Sequence, residues 1–100
     1  MDFTISSEAA KHYKKEMELK EGDAVRLFVR VGGVGSGGFS IGVAKETPSP
    51  TSFQVTKEGV TFFVTEEDQW YVDGMTISYE PGIDYFHFEN PKIKDVINPE

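Results

Sequence analysis

Between Val25 and Val43 the chain reads VRLFVRVGGVGSGGFSIGV, two alternating runs on either side of a glycine-rich centre. Val25, Leu27, Val29 and Val31 fall at every second position, with Arg26, Phe28 and Arg30 between them. Side chains two apart in a strand share a face, so residues 24–31 predict a strand with one wholly apolar face and one mixed. Phe39, Ile41 and Val43 alternate in the same way with Ser40, Gly42 and Ala44, and predict a returning strand. The residues between, Gly32, Gly33, Val34, Gly35, Ser36, Gly37 and Gly38, read as a flexible connection. Whatever fold the chain adopts has to contain this two-stranded unit.

The centre of that unit, GVGSGG, also has the literal spacing G-x-G-x-x-G of a dinucleotide site. Such a site needs a helix directly after the glycines, because the helix N-terminus faces the phosphates. Here FSIGVAKETPSP follows, with strand periodicity and then prolines, so no helix of useful length can start. No Lys-Ser or Lys-Thr pair ends the loop, which removes the Walker reading as well. A nucleotide site is not supported.

The rest of the chain supplies one helix and further short strands. Ser6 and Ser7 can each cap a helix running to about Leu19, with Glu8 in its first turn. Ala9, Tyr13 and Met17 form its apolar stripe, while Lys11, Lys14, Lys15, Glu16 and Glu18 read as the solvated face. Residues 53–56 and 60–65 flank Lys57-Glu58-Gly59 as a hairpin. Thr65 followed by Glu66-Glu67-Asp68 opens a short helix through Trp70 and Tyr71 that stops at Asp73-Gly74. Strands over 75–79 and 83–88 surround Pro81-Gly82, which suits a type II turn. One helix followed by about six short strands predicts an α+β fold that is mostly β, in small mixed or antiparallel sheets. Residues 1–100 read as one domain, with 91–100 as a loose C-terminal tail.

Composition narrows the chemistry sharply. The chain has no cysteine, which excludes disulfides, thiolate nucleophiles and thiolate-bound zinc or iron–sulfur clusters together. A net charge of −7 argues against binding nucleic acid, whose phosphates it would repel. No apolar run of about 18 residues is present, so no membrane span is expected. MDFTISSEAAKH does not resemble a secretory leader, and the expected location is cytoplasmic.

Several segments in order resemble the A-type iron–sulfur carrier family, also called HesB/IscA-like. The helix TISSEAAKHYKK and the unit VRLFVRVGGVGSGGFSIGV are similar to the family's helix, strand, glycine-cysteine-serine-glycine loop and returning strand. EGVTFFVTEEDQWYVDGMTISY is similar to its hairpin, short helix and aspartate-glycine turn, and FHFENPKIKD to the stretch before its C-terminal cysteines. The resemblance covers nearly the whole chain and implies the HesB/IscA-like fold. It also implies three cysteine ligands, one in the loop and two in a C-terminal cysteine-glycine-cysteine motif. In this sequence those positions hold Val34, Ile97 and Pro99, or Gly35 in place of Val34 after a one-residue slip. None of these side chains ligates metal.

Other ligands are sparse. His12 lies on the predicted helix, four residues after Glu8, where a Glu8–His12 pair is geometrically possible. His87 lies on the predicted last strand on the same side as Ile83 and Tyr85, with Asp84, Phe86 and Phe88 opposite. Glu89, Asp95 and Glu100 could form a mixed carboxylate site near the C-terminus. Ser6, Ser7, Ser36 and Ser40 lack a histidine and acid constellation, and Val34 breaks a G-x-S-x-G elbow around Ser36. No enzyme class is therefore supported, and neither a metal nor another cofactor is expected. The leading expectation is an accessory or protein-binding member of the family that carries no cluster. Its expected partner is another protein or a second copy of itself, with exposed Trp70 and Tyr71 available for contact. The alternative is a binder of a small ligand, anion or metal through the Gly32–Gly38 backbone, the histidines and the carboxylates.

Overall fold

The fold is set by which apolar faces the strands and the helix must cover. The computed structural model describes residues 1–36 and 39–90, and of residues 32–36 and 39 the backbone course only. Among these residues the order is β1 (Thr4–Ile5), α1 (Ser7–Glu16), β2 (Ala24–Ser36), β3 (Phe39–Lys45), β4 (Phe53–Lys57) and β5 (Val60–Val64). A 3-10 turn (Glu66–Asp68) then leads into α2 (Gln69–Val72), β6 (Thr76–Glu80) and β7 (Tyr85–Glu89). The strands form a three-stranded sheet, β1-β6-β7, and a four-stranded sheet, β3-β2-β5-β4. Each sheet is mixed: β1 runs parallel to β6 and β2 parallel to β5, while the remaining neighbours are antiparallel. The mostly-β α+β architecture expected from the sequence is the one observed.

Helix α1 binds the two sheets through one face. Ser6 caps it, its hydroxyl oxygen accepting from the Ala9 N–H at 3.1 Å. Ala9, Ala10 and Tyr13 are buried in the same cluster as Ile5 and Ile77 of the first sheet and Val25, Leu27, Phe62 and Val64 of the second. The helix stops at Glu16, short of the expected Leu19, because Glu18 turns into the left-handed region (φ 54°). The Glu18 N–H then reaches the Lys15 carbonyl and the Leu19 N–H reaches the Lys14 carbonyl at 2.8 Å. That pair of bonds is a Schellman ending, and buried Leu19 supplies its hydrophobic contact. Lys14, expected in solvent, instead ties the helix to the β4–β5 turn, donating to the Glu58 carbonyl and to Glu21, each at 3.1 Å.

The turns explain the registers. Glu58 and Gly59 both have positive φ (54° and 77°), the signature of a two-residue type I′ turn, which sets Lys57 opposite Val60. The β6–β7 connection is longer than the expected type II turn. Glu80 pairs with Tyr85 across four loop residues, Gly82 is not left-handed, and the left-handed position is Asp84 (φ 52°). Aspartate tolerates that conformation better than most residues, so no glycine is needed there. Ile83 and Asp84 therefore sit in the loop rather than on the strand, and Ile83 is exposed.

The first strand of the glycine-centred unit is longer than expected. Strand β2 continues through the glycines to Ser36, where a connection was expected over 32–38; its register with β3 runs from Val25 to Val31, is interrupted by an irregularity, and resumes at Ser36, which like Val31 lies opposite Phe39. Gly37 and Gly38 lie outside the described residues, as do 91–100, the segment expected to be loose. Strand β5 accompanies β2 only as far as Arg26, opposite Phe63. Beyond it β2 and β3 run on as a two-stranded arm. Its apolar face passes from buried Val25 and Leu27 through half-buried Val29 to Val31, which is 81% exposed.

Candidate functional site

The arm is anchored at its base by a charge cluster that the sequence did not announce. Where β5 no longer covers β2, the Val29 N–H donates instead to Oδ1 of Asp68 at 3.3 Å. The other oxygen of Asp68 accepts from Nη2 of Arg26 at 3.0 Å. Arg26 also meets Glu67 at 3.3 Å and Glu46 at 3.9 Å, and its guanidinium lies 5.5 Å from the centre of the Phe28 ring. Phe28 in turn lies across Gly42, where a Cβ would fall 2.5 Å from its Cζ. Any larger residue at 42 would displace the ring and with it the seat of Arg26. Asp68 is only 7% exposed. In the sequence it looked like a third acidic residue in a helix cap; it is a buried carboxylate doing the job of a missing strand. The one available signal was the alternation itself, which places Arg26 on the mixed face of β2 and so in need of a counter-charge.

The helical turn that supplies Asp68 also presents Trp70. Tyr71 and Val72 are buried, which orients α2, and the Asn90 side-chain amide donates to the Tyr71 carbonyl at 3.0 Å and the Asp73 carbonyl at 2.8 Å. Trp70 is consequently turned outward and is 57% exposed, its ring edge-on to Tyr71 at 5.4 Å. The expectation that Tyr71 is exposed is corrected: it belongs to the core, because successive side chains on a helical turn point about 100° apart and here Tyr71 takes the inward direction while Trp70 takes the outward one.

The candidate ligands are dispersed. His12 stacks on Tyr79 (4.1 Å between ring centres) and meets Phe86 edge-on at 5.3 Å. It borders a shallow cleft of about 230 Å³ with Glu8, Lys11, Lys15, Tyr79 and Pro81. His87 points to the opposite face of β7, where Nε2 lies 2.8 Å from Glu80. Alternation along β7 separates the two histidines, since Phe86 faces α1 and His87 faces away. Glu89 is exposed at the end of β7, while Asp95, Ile97, Pro99 and Glu100 lie outside the described residues. Val34 and Gly35 lie within β2. Among the described residues no three His, Asp or Glu side chains converge as metal ligands. No helix among them is long and apolar enough to cross a membrane.

The Tyr79 hydroxyl donates to Asp84 and closes the β6–β7 loop. That bond to a carboxylate, helped by partial burial and by the negative charges of Asp84 and Glu16, pushes the phenol up to about 12. The folded value exceeds the unfolded value of 10, so the bond's contribution is complete below pH 10 and lost as pH rises towards 12. Ultraviolet tyrosinate titration should show one transition near pH 12 that disappears in Tyr79→Phe and moves down in Asp84→Asn. An unmoved transition in Asp84→Asn would assign the shift to burial and Glu16 instead.

The sequence profile of the family described as iron-sulphur cluster biosynthesis matches residues 1–97. A Bacillus subtilis (strain 168) protein named pyruvate dehydrogenase inhibitor is 42% identical over 93 residues, covering 89% of this chain and 98% of that one. The iron-sulfur cluster insertion protein ErpA of Idiomarina loihiensis is 31% identical over 94 residues, covering 91% of this chain and 81% of its own. Among solved structures, Escherichia coli SufA, involved in biosynthesis of iron-sulfur clusters, superposes with a TM-score of 0.67 at 24% identity, over 92% of this chain and 88% of SufA. IscA with a [2Fe-2S] cluster gives 0.68 at 18% identity, over 90% of this chain and 86% of that one.

Proposed function

The chain belongs to the iron-sulphur cluster biosynthesis family, and from that premise we propose that it binds another protein and carries no cluster of its own. The observation behind this reading is the donor inventory: no cysteine in 100 residues. Iron–sulfur clusters are held by thiolates, with histidine replacing them only in part. The positions that the family resemblance assigns to ligands carry Val34, Ile97 and Pro99, whose side chains offer no donor atom. The residues present do not fit the cargo, and no cluster chemistry is derived for this chain. It acts by association rather than by catalysis.

The proposed partner is taken from the name of the Bacillus subtilis relative, an inhibitor of pyruvate dehydrogenase. Identity of 42% over nearly the full length of both chains supports pyruvate dehydrogenase as the enzyme this chain contacts. Two measurements test the reading. Protein expressed in iron-replete cells should contain no stoichiometric iron or acid-labile sulfide, and a coloured, sulfide-containing product would overturn the non-carrier assignment. Purified pyruvate dehydrogenase should be retained on the immobilised chain and lose activity as the chain is added. Full activity at saturating chain, with no retention, would overturn the partner.

A further inference from the structure

We propose that Trp70, with Glu66 and Glu67 on the preceding turn, is the surface that docks an arginine-bearing segment of a partner protein. The proposal rests on the protein-binding reading above and names the chemistry of the contact.

Three observations lead to it. Trp70 is more than half exposed, although its neighbours Asp68, Tyr71 and Val72 are buried. Indole is the side chain most enriched where binding energy concentrates at interfaces. The indole is also rigidly presented: Tyr71 and Val72 fix one side of the turn, Asp68 is locked to Arg26 and Val29, and Asn90 grips the Tyr71 and Asp73 carbonyls. A preorganised anchor loses little conformational entropy on binding. Finally, the flank is acidic. Glu66 and Glu67 lie four and three residues before Trp70 in a continuous helical run, where those spacings share a face. Both are exposed, and Glu67 keeps 73% of its side chain in solvent despite its contact with Arg26.

These properties select a cation with a flat face. An aromatic surface attracts a guanidinium through its quadrupole, Trp most strongly, and flanking carboxylates pair with the same group through parallel N–H donors. Lysine satisfies the charge but neither the stacking nor the paired geometry. The net charge of −7 adds steering towards basic partners.

The chain holds one tryptophan, so Trp70 emission reports on this surface directly. The probe is a blocked hexa-arginine peptide, with hexa-lysine and hexa-glutamate for comparison. Trp70 emission should shift saturably with hexa-arginine, more weakly with hexa-lysine, and not with hexa-glutamate. Glu66→Gln/Glu67→Gln should weaken hexa-arginine binding by roughly tenfold, whereas Glu8→Gln/Glu16→Gln, which removes the same charge elsewhere, should change it less than about twofold. By calorimetry, Trp70→Ala should weaken it by about three- to tenfold. Equal losses in the two double variants, or no response of Trp70, would overturn the proposal. The peptide arm needs no enzyme. Retention of pyruvate dehydrogenase unchanged by Trp70→Ala overturns this surface and leaves the proposed function standing. A positive peptide titration without enzyme retention removes that partner and leaves the surface.

Discussion

Phe62→Ala is expected to cost about 3–5 kcal/mol of folding free energy, the range for truncating a fully buried aromatic ring. Phe62 is 0% exposed at the middle of β5, the strand that joins β2 to β4, and lies 6.1 Å from the Tyr13 ring of α1. Removing it opens a cavity where helix and sheet meet, and neither backbone can close it without breaking strand pairing on both sides of β5. Chains of this size have about 5–15 kcal/mol of stability in total, so the variant should be partly or wholly unfolded at 25 °C. Urea unfolding followed by circular dichroism measures the loss. Trp70→Ala, on the surface, should fall within about 0.5 kcal/mol of wild type and serves as the control. A loss below about 1 kcal/mol for Phe62→Ala would mean that the site collapses freely and that this packing is not the centre of the fold.

Asp68→Ala should lower stability by about 2–3 kcal/mol, by a different route. The substitution removes the acceptor of the Val29 N–H and the closest counter-charge of Arg26, whose Nε is already buried without a partner among the described residues. Glu67 and Glu46 remain near the guanidinium but are much more exposed, and exposed pairs recover little. Asp68→Asn keeps an acceptor for Val29 and gives up the charge, so it should fall between wild type and alanine. Amide hydrogen exchange separates this account from a general loss of stability. The Val29 amide should exchange faster in Asp68→Ala under conditions where Val25, inside the covered part of β2, stays protected. Uniform acceleration along β2 would show that Asp68 does not anchor the arm specifically.

The two variants divide along the line between what was legible in the sequence and what was not. Val60, Phe62 and Val64 alternate, and a strand with an apolar face follows from that spacing alone. The Lys57-Glu58-Gly59 turn, the short helix after Thr65 and the order of six strands after the first helix were legible for the same reason: each rests on residues adjacent in the chain. The end of α1 was hidden because a left-handed glutamate, Glu18, occupies the place where glycine usually marks the stop. The β6–β7 loop was misread because Pro81-Gly82 has the composition of a type II turn, while the Tyr79–Asp84 bond favours a wider closure. Tyr71 looked like a surface partner of Trp70 because sequence shows two aromatics side by side and not which way a single turn faces.

The sequence by itself determined the strand-rich α+β fold, the alternating arm around the glycines and the absence of any thiolate, since periodicity and composition are properties of the chain. Only the tertiary structure decided that the glycine stretch is strand up to Ser36, that Asp68 replaces the strand partner β2 lacks beyond Arg26, and that Trp70 faces out. Those outcomes depend on pairing, burial and charge compensation between residues some 40 positions apart, Arg26 and Asp68 above all. No local pattern encodes such contacts; they exist once β5 ends, and the chain after it turns back to cover the exposed side of β2.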